Sequence, residues 1–339
     1  MRRAWASLFL AGVCLACAGA SSNSASGPSV TEAAGERADR LRFGGGFLTM
    51  PDGVSVWYRV SGPPRAPTLL FLHGGPGYNS LAFEQSAGKE LESRYRVVYV
   101  DQRGCGRSGF DGPDSNYGMT KTVEDIDRIR EAVGAPKIVV IGHSFGGLVA
   151  AEYAHRFPAR TSAIVMADTT PDIGAALRQQ VAYTESIAES DFPEHAQAIH
   201  RIVRGEGTPI QKVQELYGTI GRNPLQGKLH FASADVQKRM NAIDDDSHLL
   251  NMTSPKAIKP YIEAGYVNGS LPQVRAPFGA PSLLIAGRAS HVIGEANIRE
   301  AARAWGCELV WLDAGHFVYF ESPREFVDTM TRFLHDHAI

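Results

Sequence analysis

Apolar positions along this chain fall on two periods that take turns. Short apolar runs at Phe43–Thr49, Val54–Val60, Thr68–Leu72, Tyr95–Val100, Ile138–Ile141, Ser162–Ala167, Pro281–Ala286 and Cys307–Leu312 predict eight strands. The second of these alternates apolar with polar, whereas the later ones are continuous, as parallel strands covered on both faces should be. Helical spacing fills the gaps between them. Ile126, Ile129 and Val133 form one stripe behind a capping-box arrangement at Thr122-Val123-Glu124-Asp125. The last helix is marked by Ser322 as N-cap, Pro323 at its first position and Glu325 in its first turn, followed by Phe326, Met330, Phe333 and Leu334 at core spacing. The expected fold class is α/β, an eight-stranded, mostly parallel sheet whose ligands bind at the carboxyl ends of the strands.

Between the sixth and seventh strands the period changes. From about Pro171 to Ala276 no run reads convincingly as a strand, and helical stripes appear instead: Leu177/Val181/Thr184/Ile187, Ile199/Ile202/Val203, and Ile210/Val213/Leu216/Tyr217/Ile220 behind Thr208-Pro209. A further helix is expected to open at Ser254-Pro255. These stripes predict an all-helical cap, residues 171–276, inserted after strand six between two parts of a core at 42–170 and 277–339, and insertions at that edge commonly set specificity. Ahead of the core, Met1-Arg2-Arg3 and the apolar run Ala4–Ala20 have the form of an export signal, too short to span a bilayer comfortably. Cleavage is expected after Ala18-Gly19-Ala20. Cys17 offers a competing lipid-modified anchor, so the expected location is periplasmic, envelope-anchored or secreted. Residues 21–41, rich in Ser, Ala, Gly and charge, read as a flexible tether.

Composition narrows the partners. Thirty-four Lys and Arg against 36 Asp and Glu leave a net charge of −2, no basic field for nucleic acid. Of the four cysteines, Cys14 and Cys17 belong to the export segment, and Cys105 and Cys307 are expected as free thiols. No Cys or His spacing implies a metal, and no cofactor is expected. The expected partner is a small-molecule or short-peptide substrate, with a membrane tether at Cys17 as the one further possibility.

The chemistry concentrates in the loops after the strands. Ile138–Ile141 runs into Gly142-His143-Ser144-Phe145-Gly146 and then into a helical stripe, a strand, sharp turn and helix that would expose Ser144 as a nucleophile at the sheet edge. Such a serine needs two N–H donors for the developing oxyanion, one from the residue after it and one from the loop after strand three. These are the amides of Phe145 and of Gly75, the latter in His73-Gly74-Gly75-Pro76-Gly77. The loop Asp101–Ser108 (DQRGCGRS) is polar and glycine-punctuated, and its charges read only as pins for the loop. His316, in Gly315-His316-Phe317 after the eighth strand, stands where it could accept the Ser144 proton. His143, beside the serine, is read as pointing the opposite way.

Together His73–Gly77, Asp101–Ser108, Gly142–Gly146 and Gly315–Phe317 resemble the α/β-hydrolase superfamily, and within it the proline iminopeptidase branch. The likeness covers Phe43–Asp168 and Pro281–Leu334. It implies a serine hydrolase acting through an acyl-enzyme, most directly an aminopeptidase or amidase whose cap carboxylates hold the substrate amine. The cap supplies Glu185, Glu189, Asp191, Glu194, Glu206, Glu215, Asp244–Asp246 and Glu263 without singling one out. Two departures stand against that pattern. Iminopeptidases usually carry Gly-Gly-Ser-Trp-Gly where this chain has Gly-His-Ser-Phe-Gly, the form of general esterases, so an exported carboxylesterase or lactonase is the alternative. Where the family has the triad acid in Gly-Arg-x-Asp, this chain reads Gly287-Arg288-Ala289-Ser290. The acid is then Asp168, directly after strand six and in the family's order of serine, acid, histidine, or Asp313, three residues before His316. With neither, the chain would be a degenerate hydrolase that binds without turnover.

Overall fold

The computed structural model describes residues 45–109, 112–265 and 278–339. The export segment with Cys14 and Cys17, the tether, the first residues of the predicted strand at 43–49 and the end of the predicted cap lie outside the described residues. Eight strands form one sheet: β1 (Gly46–Thr49), β2 (Ser55–Ser61), β3 (Thr68–Leu72), β4 (Arg96–Val100), β5 (Ile138–His143), β6 (Thr161–Ala167), β7 (Ser282–Gly287) and β8 (Glu308–Leu312). Their order is β1-β2-β4-β3-β5-β6-β7-β8, with β1 and β2 antiparallel to their neighbours and the remaining pairings parallel.

The continuous apolar runs have two faces to cover. Leu70, Leu72, Val98, Val140, Ile164, Met166 and Leu284 join one buried cluster, and the alternate residues Leu69, Phe71, Val97, Val139, Ile141, Val165 and Leu283 join another. The helices are α1 (Leu81–Glu84), α2 (Ala87–Leu91), α3 (Met119–Ala132), α4 (Phe145–Arg156), α5 (Ile173–Ser186), α6 (Ala188–Asp191), α7 (Ala196–Arg204), α8 (Pro209–Ile220), α9 (Arg222–His230), α10 (Ala234–Ser247), α11 (Lys259–Glu263), α12 (Glu295–Trp305), α13 (Val318–Glu321) and α14 (Pro323–Asp336). Apolar stripes of α3, α4 and α12 cover the first face, and those of α1, α2 and α14 cover the second. Between β6 and β7 the described residues hold helices α5 to α11 and no strand.

Three local expectations need correction. Helix α3 starts at Met119, not at Thr122. Thr122 and Asp125 do not cap it because both are buried and bonded elsewhere: Thr122 Oγ1 to the Tyr261 hydroxyl at 2.6 Å, Asp125 to Arg103 at 2.5 and 2.6 Å. Ser322 is the residue ahead of α14, but its hydroxyl donates to the Asp313 carbonyl at 3.1 Å and not into the helix. Ser254-Pro255 opens only a 3₁₀ turn, Pro255–Ala257, before α11 begins. The stripe behind Thr208-Pro209 is helix α8, and Thr208 and Gln211 close its start with a reciprocal capping box. Cys105 and Cys307 form no disulfide.

Candidate active site

Parallel pairing of β5 with β6 fixes the site's floor. Gly142 pairs with Met166 and His143 with Ala167, so Ser144 and Asp168 leave the sheet edge at the same level on adjacent strands. Ser144 adopts φ 51° and ψ −122°, a region where a side chain is held only under constraint. The constraint is visible. The Ser144 amide donates to the Ala167 carbonyl at 2.9 Å, and its own carbonyl accepts from the Gly147 amide at 2.9 Å and from Thr169 Oγ1 at 2.6 Å. A Cβ on Gly142 would lie 2.3 Å from the Gly146 carbonyl oxygen, and one on Gly146 2.3 Å from that of Leu72. Both glycines of the motif are therefore required by close backbone approach.

His316 and Asp168 meet across two strands. The His316 ring donates through Nδ1 to Asp168 Oδ2 at 2.5 Å, with both side chains buried. The same carboxylate accepts from Ser290 Oγ at 2.6 Å and, on Oδ1, from the Gly287 amide at 3.1 Å. It takes no N–H from the Thr169-Thr170-Pro171 turn that follows it, which removes the plain reading of a turn cap. Asp313 points away: it is 90 % exposed and reaches Arg288 Nε at 3.3 Å. With Nδ1–H committed to Asp168, the lone pair of His316 sits on Nε2, the tautomer that can accept a proton from a hydroxyl. Ser290, standing at the position where the resemblance placed the acid, is thus a donor to the Asp168 carboxylate directly after β6.

The loop after β3 brings Gly75 to the same place, at φ 114°, where a Cβ would lie 2.5 Å from the Gly77 nitrogen. Among the described residues neither the Gly75 nor the Phe145 amide has an acceptor, and both residues line the cavity that holds Ser144 and His316. The loop's position is secured from below by the Asp101–Ser108 segment, which the sequence left without a role. The Gln102 amide donates to His73 Nε2 at 2.9 Å, its side-chain amide donates to the His73 carbonyl at 2.7 Å, and His73 Nδ1 lies 2.9 Å from the Gly74 carbonyl. Asp101 Oδ2 accepts from the Arg107 amide and Nε at 2.8 Å, and its Oδ1 accepts from the Ser80 amide and hydroxyl at 2.9 Å. The Arg107 guanidinium, fully buried, reaches Glu84 at 2.5 Å and lies 3.4 Å from the centre of the Trp57 ring.

His143 does not turn away from the site. Its Nε2 lies 3.0 Å from the His316 carbonyl, and the two rings are 4.6 Å apart. Burial pushes the imidazoles of His73, His143 and His230 down, the last two well below the usual value, which disfavours a charge on His143 and His230 beside the His316 ring. Above the floor, the cavity is walled mainly by apolar cap side chains such as Leu177, Ile210, Val213 and Tyr217. Among the described residues no carboxylate lines it. Glu185 and Glu189 face His200, Asp191 pairs with Lys228, and Asp244 accepts from the Tyr78 hydroxyl at 2.8 Å. Among the described wall residues the one charged side chain is Arg222. Sequence reasoning passed over Arg222, Gln226 and His230. Their four-residue spacing was the available signal, obscured by Pro224 and Gly227.

With sheet order, elbow and His–Asp pair in place, the class is defined: the chain belongs to the α/β-hydrolase family, whose fold description matches residues 67–323. Among curated relatives it is 33% identical over 122 residues to a proline iminopeptidase of Pestalotiopsis fici, spanning 35% of this chain and 42% of the relative. It is 36% identical over 115 residues to a bifunctional esterase/perhydrolase of Acinetobacter calcoaceticus, spanning 33% of this chain and 40% of the relative. The chain thus aligns with about two fifths of the length of these relatives. The solved structure of a proline iminopeptidase-related protein from Thermus thermophilus superposes with a TM-score of 0.69 at 22% identity, over 86% of this chain and 98% of that one. The chain is an α/β-hydrolase of proline iminopeptidase-like sequence.

Proposed function

We propose that this chain is a serine hydrolase that cleaves small carboxylic esters through an acyl-enzyme. The observation that carries this reading is the His316–Asp168 hydrogen bond of 2.5 Å in a cavity shared with Ser144. Ser144 Oγ attacks the carbonyl carbon while His316 Nε2 takes its proton. The amides of Gly75 and Phe145 receive the oxyanion, and Asp168 stabilises the imidazolium so formed. His316 then returns the proton to the leaving oxygen. Water, deprotonated by the same nitrogen, releases the acid by the reverse steps. An ester is favoured over a peptide because no carboxylate among the described residues lines the cavity to hold a substrate ammonium.

Removal of an N-terminal residue from a short peptide is the second reading, supported by the likeness to the Pestalotiopsis fici proline iminopeptidase. Blocking the α-amine of an aminoacyl ester or anilide separates the two, since it abolishes aminopeptidase turnover and spares esterase turnover. The hydrolase reading itself is tested with a fluorophosphonate probe. The wild-type protein is expected to label within minutes and Ser144→Ala not at all. Labelling that survives Ser144→Ala would remove Ser144 as nucleophile.

A further inference from the structure

The cavity has a polar stripe that the catalytic steps do not use. Arg222, Gln226 and His230 are spaced by four residues along α9, which places them on one face of the helix over about 12 Å of its length. All three line the cavity, while Leu225 and Leu229 of the same helix are buried in the apolar core. Each member of the stripe has unmet hydrogen-bonding capacity. Gln226 Oε1 and His230 Nδ1 are buried without a partner, and the Arg222 side chain makes no hydrogen bond or ion pair among the described residues. A buried polar atom left unpaired costs free energy, so two of them in a row with an uncommitted guanidinium point to something that pairs with all three.

The charge is placed against local interest as well. Arg222 is the first residue of α9, where the helix dipole and the free amides favour an anion and disfavour a cation. Asp244 is close enough for Arg222 to affect its ionisation, but the two form no ion pair, and the Asp244 carboxylate is occupied by the Tyr78 hydroxyl at 2.8 Å. At the other end of the stripe, His230 borders the reacting groups: its carbonyl accepts from the His316 amide at 2.6 Å and its ring lies 5.4 Å from that of His316.

Resting on the hydrolase reading above, we propose that Arg222, Gln226 and His230 bind a substrate that carries a carboxylate at the end remote from the scissile carbonyl. The substrate class is half-esters of dicarboxylic acids, or esters of hydroxy acids. The guanidinium takes the carboxylate, and in members of the class that also carry a hydroxyl or amide N–H along the chain, Gln226 Oε1 and His230 Nδ1 accept from it. The scissile carbonyl then lies beyond His230, at Ser144.

The test compares, for each protein, kcat/KM on esters that differ only in the remote group. One series is six-carbon acyl chains on 4-nitrophenol ending in carboxylate, methyl or ammonium. The other is acetate esters of six-carbon alcohols with the same three ends. In at least one series the wild type should prefer the carboxylate over the methyl by about tenfold or more, the range of a charge-assisted hydrogen bond. Arg222→Gln should bring that ratio near one, and Arg222→Glu should turn it in favour of ammonium. Because each readout is a ratio within one protein, a poorly folded variant lowers both rates and leaves the ratio legible. A wild-type ratio of one or less in both series, or a preference kept in Arg222→Gln, overturns the proposal while leaving the hydrolase reading intact. Failure of every ester together with absent fluorophosphonate labelling overturns both.

Discussion

At the scale of single residues the proposed catalytic geometry turns on which carboxylate holds His316. Asp168 answers with three donors on its two oxygens: His316 Nδ1 at 2.5 Å, Ser290 Oγ at 2.6 Å and the Gly287 amide at 3.1 Å. Replacing the acid by its amide presents the imidazole with the wrong tautomer partner, so Asp168→Asn should lower kcat by about 10³–10⁴ with KM little changed. Ser290 acts through Asp168 and is a positioning residue. Ser290→Ala should cost about three- to tenfold in kcat, the worth of one ordinary hydrogen bond, and Ser290→Thr should restore most of it. A variant Asp168→Asn that turns over at the wild-type rate would return the acid's role to another group.

At the scale of elements, what the sequence reveals depends on whether an element's polar residues face water. The buried parallel strands were legible within a residue or two, because Leu69–Leu72 of β3, Ile138–Ile141 of β5 and Leu283–Ala286 of β7 are unbroken apolar runs, buried throughout. Ser144 and His316 were legible because each stands in a turn directly after such a strand. Asp168 was legible only among alternatives, since an aspartate before Thr-Thr-Pro has the same local signature whether it caps a turn or reaches across two strands. The α9 stripe was not legible: Arg, Gln and His at four-residue spacing read as a solvated face until the cavity is seen. The same limit hid the Asp101–Ser108 loop, whose charges turn inward to Arg107, Ser80 and Glu84. That buried ion cluster carries its own prediction. Asp101→Ala leaves the Arg107 guanidinium, which has no solvent exposure, with Glu84 as its one remaining carboxylate, and should destabilise the fold by about 3–5 kcal/mol in urea unfolding. A loss below about 1 kcal/mol would mean that the cluster is solvated in solution.

At the scale of the whole molecule, the helical segment between β6 and β7 is joined to the sheet-edge loops by hydrogen bonds as well as by apolar packing. The His316 amide donates to the His230 carbonyl at 2.6 Å, Thr253 Oγ1 to the Gly77 carbonyl at 2.9 Å, and the Ala232 amide to Glu321 at 3.0 Å. The Tyr78 hydroxyl joins this set by donating to Asp244 on α10. Burial pushes the Asp244 carboxyl up to about 6, against the opposing pull of the Tyr78 hydrogen bond and of Arg222. The folded protein therefore holds this proton more tightly than the unfolded chain, whose carboxyl titrates near 3.8. The associated stability is complete below the unfolded value and is lost as the pH rises through about 6. Asp244→Asn, which keeps an acceptor for Tyr78 and removes the charge, should then raise stability by about 1–2 kcal/mol at pH 8 and leave it unchanged near pH 4. Thermal unfolding of both proteins across that range checks it. A gain that is the same at both ends, or a loss at pH 8, would show that the Asp244 carboxylate is stabilised where it stands, and that joining the cap to the loop after β3 carries no cost in charge burial.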